Sequence, residues 1–358
     1  GVTRADYFDT NLTQPIPNGV ATSVDGEAII TEHFQLAGVG ASDFDPDAKS
    51  TYLDETLVGF EFEAAPSLNL GVRYIRRRFG RILEDVGTVP MAAYNLFPDE
   101  AGNSVEYFIT NPDPDTPVLF PELGARFEKA IHDYDAVEVT ADKRLADNWQ
   151  VKASYRWSRL DGTFEGFFRN DNGQSDPAIT SLFDFPTNDP TYVQVGRQFG
   201  YRGDIRFLGE AGAGPLPNDR PHQVKVYGNY AFDMGLNAGL GLQVGSGRPL
   251  TALAANPNYR SAGEIPETPR GEGFETEEGF RDRAPMESSI DAHVDYALPF
   301  GTRRLVLLLD VFNLFDRQGV LDYDNYTEAE FAVPNPDFGR AFIYQEPRQV
   351  RIGVRFQF

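Results

Sequence analysis

The stretch that decides the fold is the last one, "EPRQVRIGVRFQF" at residues 346–358. From Gln349 onward it alternates without a break. Val350, Ile352, Val354, Phe356 and Phe358 fall on one side, and Gln349, Arg351, Gly353, Arg355 and Gln357 on the other. Neighbouring side chains of a strand point to opposite faces, so this period of two predicts a strand with one wholly apolar face. "NWQVKASYRWSRL" (148–160) repeats the pattern, with Trp149, Val151, Ala153, Tyr155 and Trp157 opposite Gln150, Lys152, Ser154, Arg156 and Ser158. So do "QVKVYGNYAFD" (223–233) and "SIDAHVDYALPF" (289–300), and no helical period competes in any of them.

Working outward, strand-like runs lie near 51–64, 67–80, 132–146, 148–161, 220–234, 236–248, 286–300, 303–316 and 346–358. The junctions "AAPS" (64–67), "ADN" (146–148), "DMGL" (233–236) and "PFGT" (299–302) are tight. Those at 81–131, 162–219, 249–285 and 317–345 are long. Tight and long junctions alternate, which places every short turn at one rim and every long loop at the other. That asymmetry is the pattern of an outer-membrane barrel, with short periplasmic turns and long extracellular loops. The runs are long enough to cross a bilayer at a tilt, and aromatics such as Tyr74, Trp149, Tyr155, Trp157 and Tyr296 sit near their ends. The fold class expected is therefore an all-β, transmembrane antiparallel β-barrel.

Composition agrees. The 358 residues include 28 Phe, 16 Tyr, 34 Gly, 25 Pro and no Cys, which favours strands and loops and excludes disulfide frameworks and thiolate metal sites. The longest apolar run, "LVLLLDVFNLF" (305–315), is too short for a membrane helix and is broken by Asp310. "GVTRADYFDTN" lacks the apolar core of a signal peptide. The net charge of −22 argues against a nucleic-acid binder, since no basic stripe is present to neutralise phosphates. Residues 1–50 carry net −6 and the four long loops net −15, leaving −1 for strands and short turns. The acidity belongs to the outward rim.

Several phrases together resemble a known family: "YLDETLVGFEFEAAPSLNLGVRYIRRRFGRILED" (52–85), "LPNDRPHQVKVYGNYAF" (216–232), "SGRPL" (246–250), "SSIDAHVDYALPFGTRRLVLLLDVFNLFDRQ" (288–318) and the terminal strand. They resemble the C-terminal barrel region of TonB-dependent outer-membrane receptors, the Oar-like subgroup in particular. The resemblance implies a barrel of about 22 strands filled by an N-terminal plug and energised through the TonB complex. Only about nine strands and neither plug nor TonB box are visible. Residues 51–358 are accordingly expected to be the C-terminal portion of such a barrel. Residues 1–50 are expected to form an acidic extracellular loop or the end of a preceding barrel segment, with Gly1 not a natural start.

Candidate sites follow. Phe358 and Phe356 resemble the signal read by the barrel-assembly machinery, beside the plainer role of anchoring a strand at the periplasmic interface of the outer-membrane lipid. Asp291, His293 and Asp295 share one strand face and carry metal-ligand chemistry, but alternate strand residues lie about 7 Å apart, so a polar lumen wall is the plainer reading. "DFDPDAK" (43–49), "NPDPDTP" (111–117) and "DYDN" (322–325) offer oxygen ligands for structural calcium, against the plainer reading of solvated acidic loops. "GLGLQVGSG" (239–247) lacks the following helix that a phosphate loop needs; Gly239, Gly241 and Gly245 are expected to make room for a plug. No catalytic motif emerges, so no enzyme is expected.

Tyr94, Phe97, Phe183, Phe185, Tyr192 and Tyr326 are the candidate contacts to an unidentified extracellular ligand, with ordinary loop packing as the alternative for each. Three functions remain open: a receptor and transporter with energised uptake, a barrel that displays interaction loops, and a passive porin.

Overall fold

The computed structural model describes residues 20–22, 28–30, 44–90, 107–166, 169, 171–172, 181–190, 208–256, 261–300 and 303–357. Nine long strands form one antiparallel wall: β1 (Tyr52–Ala65), β2 (Leu68–Gly80), β3 (His132–Ala146), β4 (Trp149–Gly162), β5 (His222–Ala231), β6 (Leu236–Gly245), β7 (Glu287–Phe300), β8 (Arg303–Phe312) and β9 (Gln349–Gln357). Each pairs with its neighbours in sequence, so the wall is an uninterrupted meander from β1 to β9. The strands lie within a residue or two of the predicted runs, with four exceptions: β5 stops three residues early at its tight turn, β6 and β8 stop three and four residues early at their loops, and β9 begins three residues late.

The tight turns explain the register. Asp147 and Asn148 both have positive φ (53° and 68°), as a two-residue hairpin turn requires, and Ser67 and Gly235 take the same region at two other short turns. Register shifts between Glu63 and Ala65 and between Lys143 and Ala146 mark bulges beside these turns. Among the described residues no helix is long and apolar enough to cross a membrane.

One face of the wall is apolar from edge to edge. Phe60 lies opposite Val72, Val72 opposite Val139, and Val139 opposite Tyr155; at the far end Leu307 lies opposite Val354 and Leu309 opposite Ile352. These side chains are exposed, Ile352 to 79% and Val354 to 66%. A contiguous exposed apolar sheet of this extent is unstable in water and suited to hydrocarbon. The other face carries ion pairs between neighbouring strands, among them Arg73–Glu138 at 2.7 Å, Lys152–Asp142 at 3.3 Å and Arg351–Asp310 at 2.8 Å. Within the wall only scattered apolar side chains such as Ile75, Ala136 and Val306 are buried, and the buried hydrophobic clusters lie in the loops.

Those loops are built structures. The first holds a hairpin, Glu84–Gly87 with Tyr107–Thr110, and the second a five-residue helix, Leu208–Gly212. The third pairs Leu253–Ala254 with Ile265–Pro266, and the fourth pairs Val320–Tyr323 with Ala341–Tyr344. Val86 and Phe127 of the first loop, Leu182, Phe183, Phe185, Leu208 and Ala211 of the second, and Ile265 of the third form one buried cluster. Leu250, Ala252, Phe274 and Ala284 of the third form another with Val320 and Tyr323 of the fourth. The third loop joins both clusters, so the four loops make one cap on the rim opposite the tight turns.

Candidate functional site: loop cap and polar wall

The cap is locked by a charged knot. Arg270, 1% exposed, donates from Nε to the Gly212 carbonyl (3.0 Å), from Nη1 to Asp171 Oδ2 (3.2 Å), and from Nη2 to Glu165. Arg169 grips Asp171 with both prongs, Nε to Oδ1 at 3.1 Å and Nη2 to Oδ2 at 3.2 Å, and donates from Nη1 to the Glu264 carbonyl at 3.0 Å. Burial alone would raise the Asp171 pKa, but the two guanidiniums outweigh it and hold it at about 2. Burial likewise works against the Arg169 charge, yet Asp171 and Glu165 keep its pKa above the ordinary value. Asn172 donates to the Gly263 carbonyl at 3.0 Å, and Tyr326 Oη donates to the Asn172 carbonyl at 2.9 Å, bringing in the fourth loop. Arg248–Asp322 and the Tyr323 hydroxyl on Glu278 (2.7 Å) add further ties between the third and fourth loops.

Below the cap, the polar wall face carries the Asp-His-Asp strand. His293 meets Asp310 of β8 through Nδ1 (2.6 Å) and Asp295 of its own strand through Nε2 (3.1 Å). Arg351 donates to the other Asp310 oxygen, and Asn237 donates to Asp295 at 2.9 Å. Asp291 points elsewhere, accepting from the Asn313 backbone at 2.8 Å and from Ser289 at 3.2 Å. The structure thus separates Asp291 from His293 and gives the imidazole a different second carboxylate, supplied by the adjacent strand. The network binds strand to strand, as a polar wall does. Gly241 carries a correction: the space beside its α-carbon is filled by the Tyr227 ring, whose Cδ1 lies 3.2 Å from where a Cβ would stand, rather than left open. A cross-strand aromatic laid over a strand glycine restores the packing that glycine lacks.

Of the candidate ligand contacts, Phe183 and Phe185 are each 1% exposed and form part of the cap core, so they present no surface to a ligand. Tyr326 is half-buried, with its hydroxyl bonded into the cap and its pKa raised by that burial. Tyr94, Phe97, Tyr192 and Phe358 lie outside the described residues. Phe356 stands on the apolar face of β9, 44% exposed.

Two of the acidic loop motifs come together. Residues 44–50 bridge to the first loop through Phe44 and Ile109, and "NPDPDTP" (111–117) lies alongside. Between them and the loop ends of β1 and β2 opens a cavity of about 540 Å³. Asn111 fixes its back wall: Oδ1 accepts from the Lys49 N–H (2.8 Å), and Nδ2 donates to the carbonyls of Lys49 (2.9 Å), Arg81 (2.8 Å) and Ile82 (3.2 Å). Sequence reading gave Asn111 and Arg270 no special standing, because a buried clamp has no spacing signature.

No family profile matches the chain. It is 29% identical over 360 residues to the TonB-dependent transporter Oar of Myxococcus xanthus, covering 89% of this chain and 29% of that protein. The resemblance read from the sequence holds: this chain is similar to a TonB-dependent outer-membrane transporter. Among solved structures, the outer-membrane transporter YddB of Escherichia coli matches 87% of this chain and 33% of its own, with 10% identity and a TM-score of 0.50. That likeness concerns the fold. The ferric-catecholate import receptor Fiu of Escherichia coli covers 87% of this chain and 28% of its own, at 13% identity and a TM-score of 0.44. The chain thus spans about a third or less of the length of these proteins. A wall apolar on one face and polar on the other is the architecture of an outer-membrane barrel.

Proposed function

We propose that this wall and its loop cap are the ligand-facing part of a TonB-dependent outer-membrane receptor that takes up its ligand at the expense of the proton-motive force. The observation that carries the reading is the combination of a two-faced wall with a pre-packed acidic cap on one rim. A passive porin needs only an open lumen. A cap clamped by Arg270, Arg169 and Asp171 instead presents a fixed surface at the entrance. The exposed polar face from Glu61 to Arg351 is the face a plug would cover, and TonB would act on that plug. Outer-membrane lipid would lie against the apolar face, Phe356 included, and the barrel-assembly machinery would read that strand.

The test places a cysteine at Tyr227, on the polar wall face, and labels whole cells with an impermeant maleimide. Labelling should be weak in de-energised cells and in cells lacking TonB, and should rise when the membrane is energised. Equal labelling under all three conditions would overturn energised uptake. A steady ohmic conductance in planar bilayers would select the passive porin instead.

A further inference from the structure

The cavity at the root of the first loop carries both signs of charge with neither neutralised. Its lining includes Asp47, Asp115, Lys49, Arg81 and Lys129, with the rings of Tyr52 and Phe79. Among the described residues Lys49, Arg81 and Lys129 form no ion pair, although Arg81 lies over the Tyr52 ring at 5.2 Å. The Asp47 and Asp115 carboxylates accept no hydrogen bond there either. The other two acids of the lining form no ion pair among the described residues either, but accept hydrogen bonds: Asp45 from Thr110 Oγ1 (2.7 Å) and the Asp47 N–H (2.8 Å), and Asp113 from the Asp115 N–H (2.9 Å).

Elsewhere on this molecule opposite charges within reach pair, as Arg73 with Glu138, Arg78 with Asp133 and Lys152 with Asp142 do. In the cavity three cations and four carboxylates stay apart on walls held by the Asn111 clamp, the carboxylates of Asp47 and Asp115 accepting no hydrogen bond among the described residues. At about 540 Å³ it lies within the usual range of small-molecule sites, roughly 300–1,000 Å³.

From this we propose that the cavity binds a small zwitterion, a short peptide with free amino and carboxyl ends. Its ammonium is met by Asp47 and Asp115, its carboxylate by Arg81, Lys49 and Lys129, and an apolar side chain by Tyr52 and Phe79. A simple cation or anion would leave one set of wall charges unmatched; a zwitterion satisfies both. The assignment rests on the reading of this rim as ligand-facing, and names the class of ligand it meets.

The test is isothermal titration calorimetry of the purified full chain in detergent. The probes are glycyl-phenylalanyl-glycine, its N-acetylated form and its C-amidated form. The free tripeptide should bind saturably, and each block should weaken binding by about tenfold or more. In D47N/D115N the acetylation penalty should vanish while the amidation penalty stays. In R81Q/K129Q the reverse should hold. Absence of saturable binding up to about 10 mM, or equal binding of all three peptides, overturns the proposal. The wild-type comparison decides even where a variant misfolds. Heat-modifiable migration of the same sample reports the membrane wall independently, so failure of the peptide site leaves the receptor reading separately testable.

Discussion

Replacing Arg270 with Met should loosen the loop cap while leaving the wall intact. The guanidinium is 1% exposed and serves three acceptors: Glu165, Asp171 and the Gly212 carbonyl. Asp171 keeps the bidentate grip of Arg169 in the variant, so its charge stays compensated. Glu165 does not fare as well. Its Oε2 accepts no hydrogen bond among the described residues, and once Arg270 is gone it retains only Arg169 Nε, 3.7 Å from Oε1. Breaking a buried pair from one side leaves an uncompensated charge and costs about 3–5 kcal/mol. At the lower figure, exchange of amides that open with the cap rises by roughly a hundredfold, since each 1.4 kcal/mol is tenfold. Hydrogen-exchange mass spectrometry should find that rise in peptides covering 208–216 and 261–270, with β3 to β6 unchanged. Adding Glu165→Gln should recover about half the loss or more, because the orphaned charge is removed with its partner. The reasoning is refuted if exchange in the cap stays within about threefold of wild type, or if the double variant is no better than the single one.

Further outcomes follow from the same geometry. Asp171 ionises at about 2 in the folded chain against an ordinary 3.8, so its carboxylate contributes stability above pH 3.8 that is lost as pH falls toward 2. The stake is roughly 2 kcal/mol, and near-UV circular dichroism should show the cap loosening over that interval while far-UV strand signal persists. Ile352→Arg puts a charge on the apolar face where the native side chain is 79% exposed, and should cost about 2–4 kcal/mol in refolding into liposomes, with little effect in short-chain detergent. Asn111→Ala removes the four hydrogen bonds of the cavity's back wall; at about 0.5–1 kcal/mol for each bond, exchange at 44–50 and 107–117 should rise by roughly thirtyfold to a thousandfold, and a rise confined to residue 111 would contradict the clamp.

The wall was legible in the sequence because its physics is one-dimensional. Alternation in "QVRIGVRFQF" assigns a face to each residue, and β9 keeps Val350, Ile352 and Val354 on the exposed apolar side and Arg351 on the polar side with Asp310. Hairpin turns are equally local, since "ADN" encodes two residues that tolerate positive φ. The cap obeys a different rule. Phe183 and Phe185 look, in sequence, like aromatics offered from a loop; what buries them is Val86, Phe127 and Ile265, from two other loops. Their period says nothing, because the partners are scores of residues away. A clue was nonetheless present. Long loops that carried many apolar side chains, "SLFDFP" among them, had too much to hide to remain solvated arms. The acidic motifs obey the same rule. "DFDPDAK" and "NPDPDTP" read as two separate solvated runs, yet the bridge between Phe44 and Ile109 sets them on one cavity beside Lys49, Arg81 and Lys129. Charge counted along the chain gave an acidic rim; charge counted around the cavity gives both signs. A site of that kind is visible only once long-range packing has brought its walls together, so its ligand must be sought in the mixed lining and not in the net charge of −22.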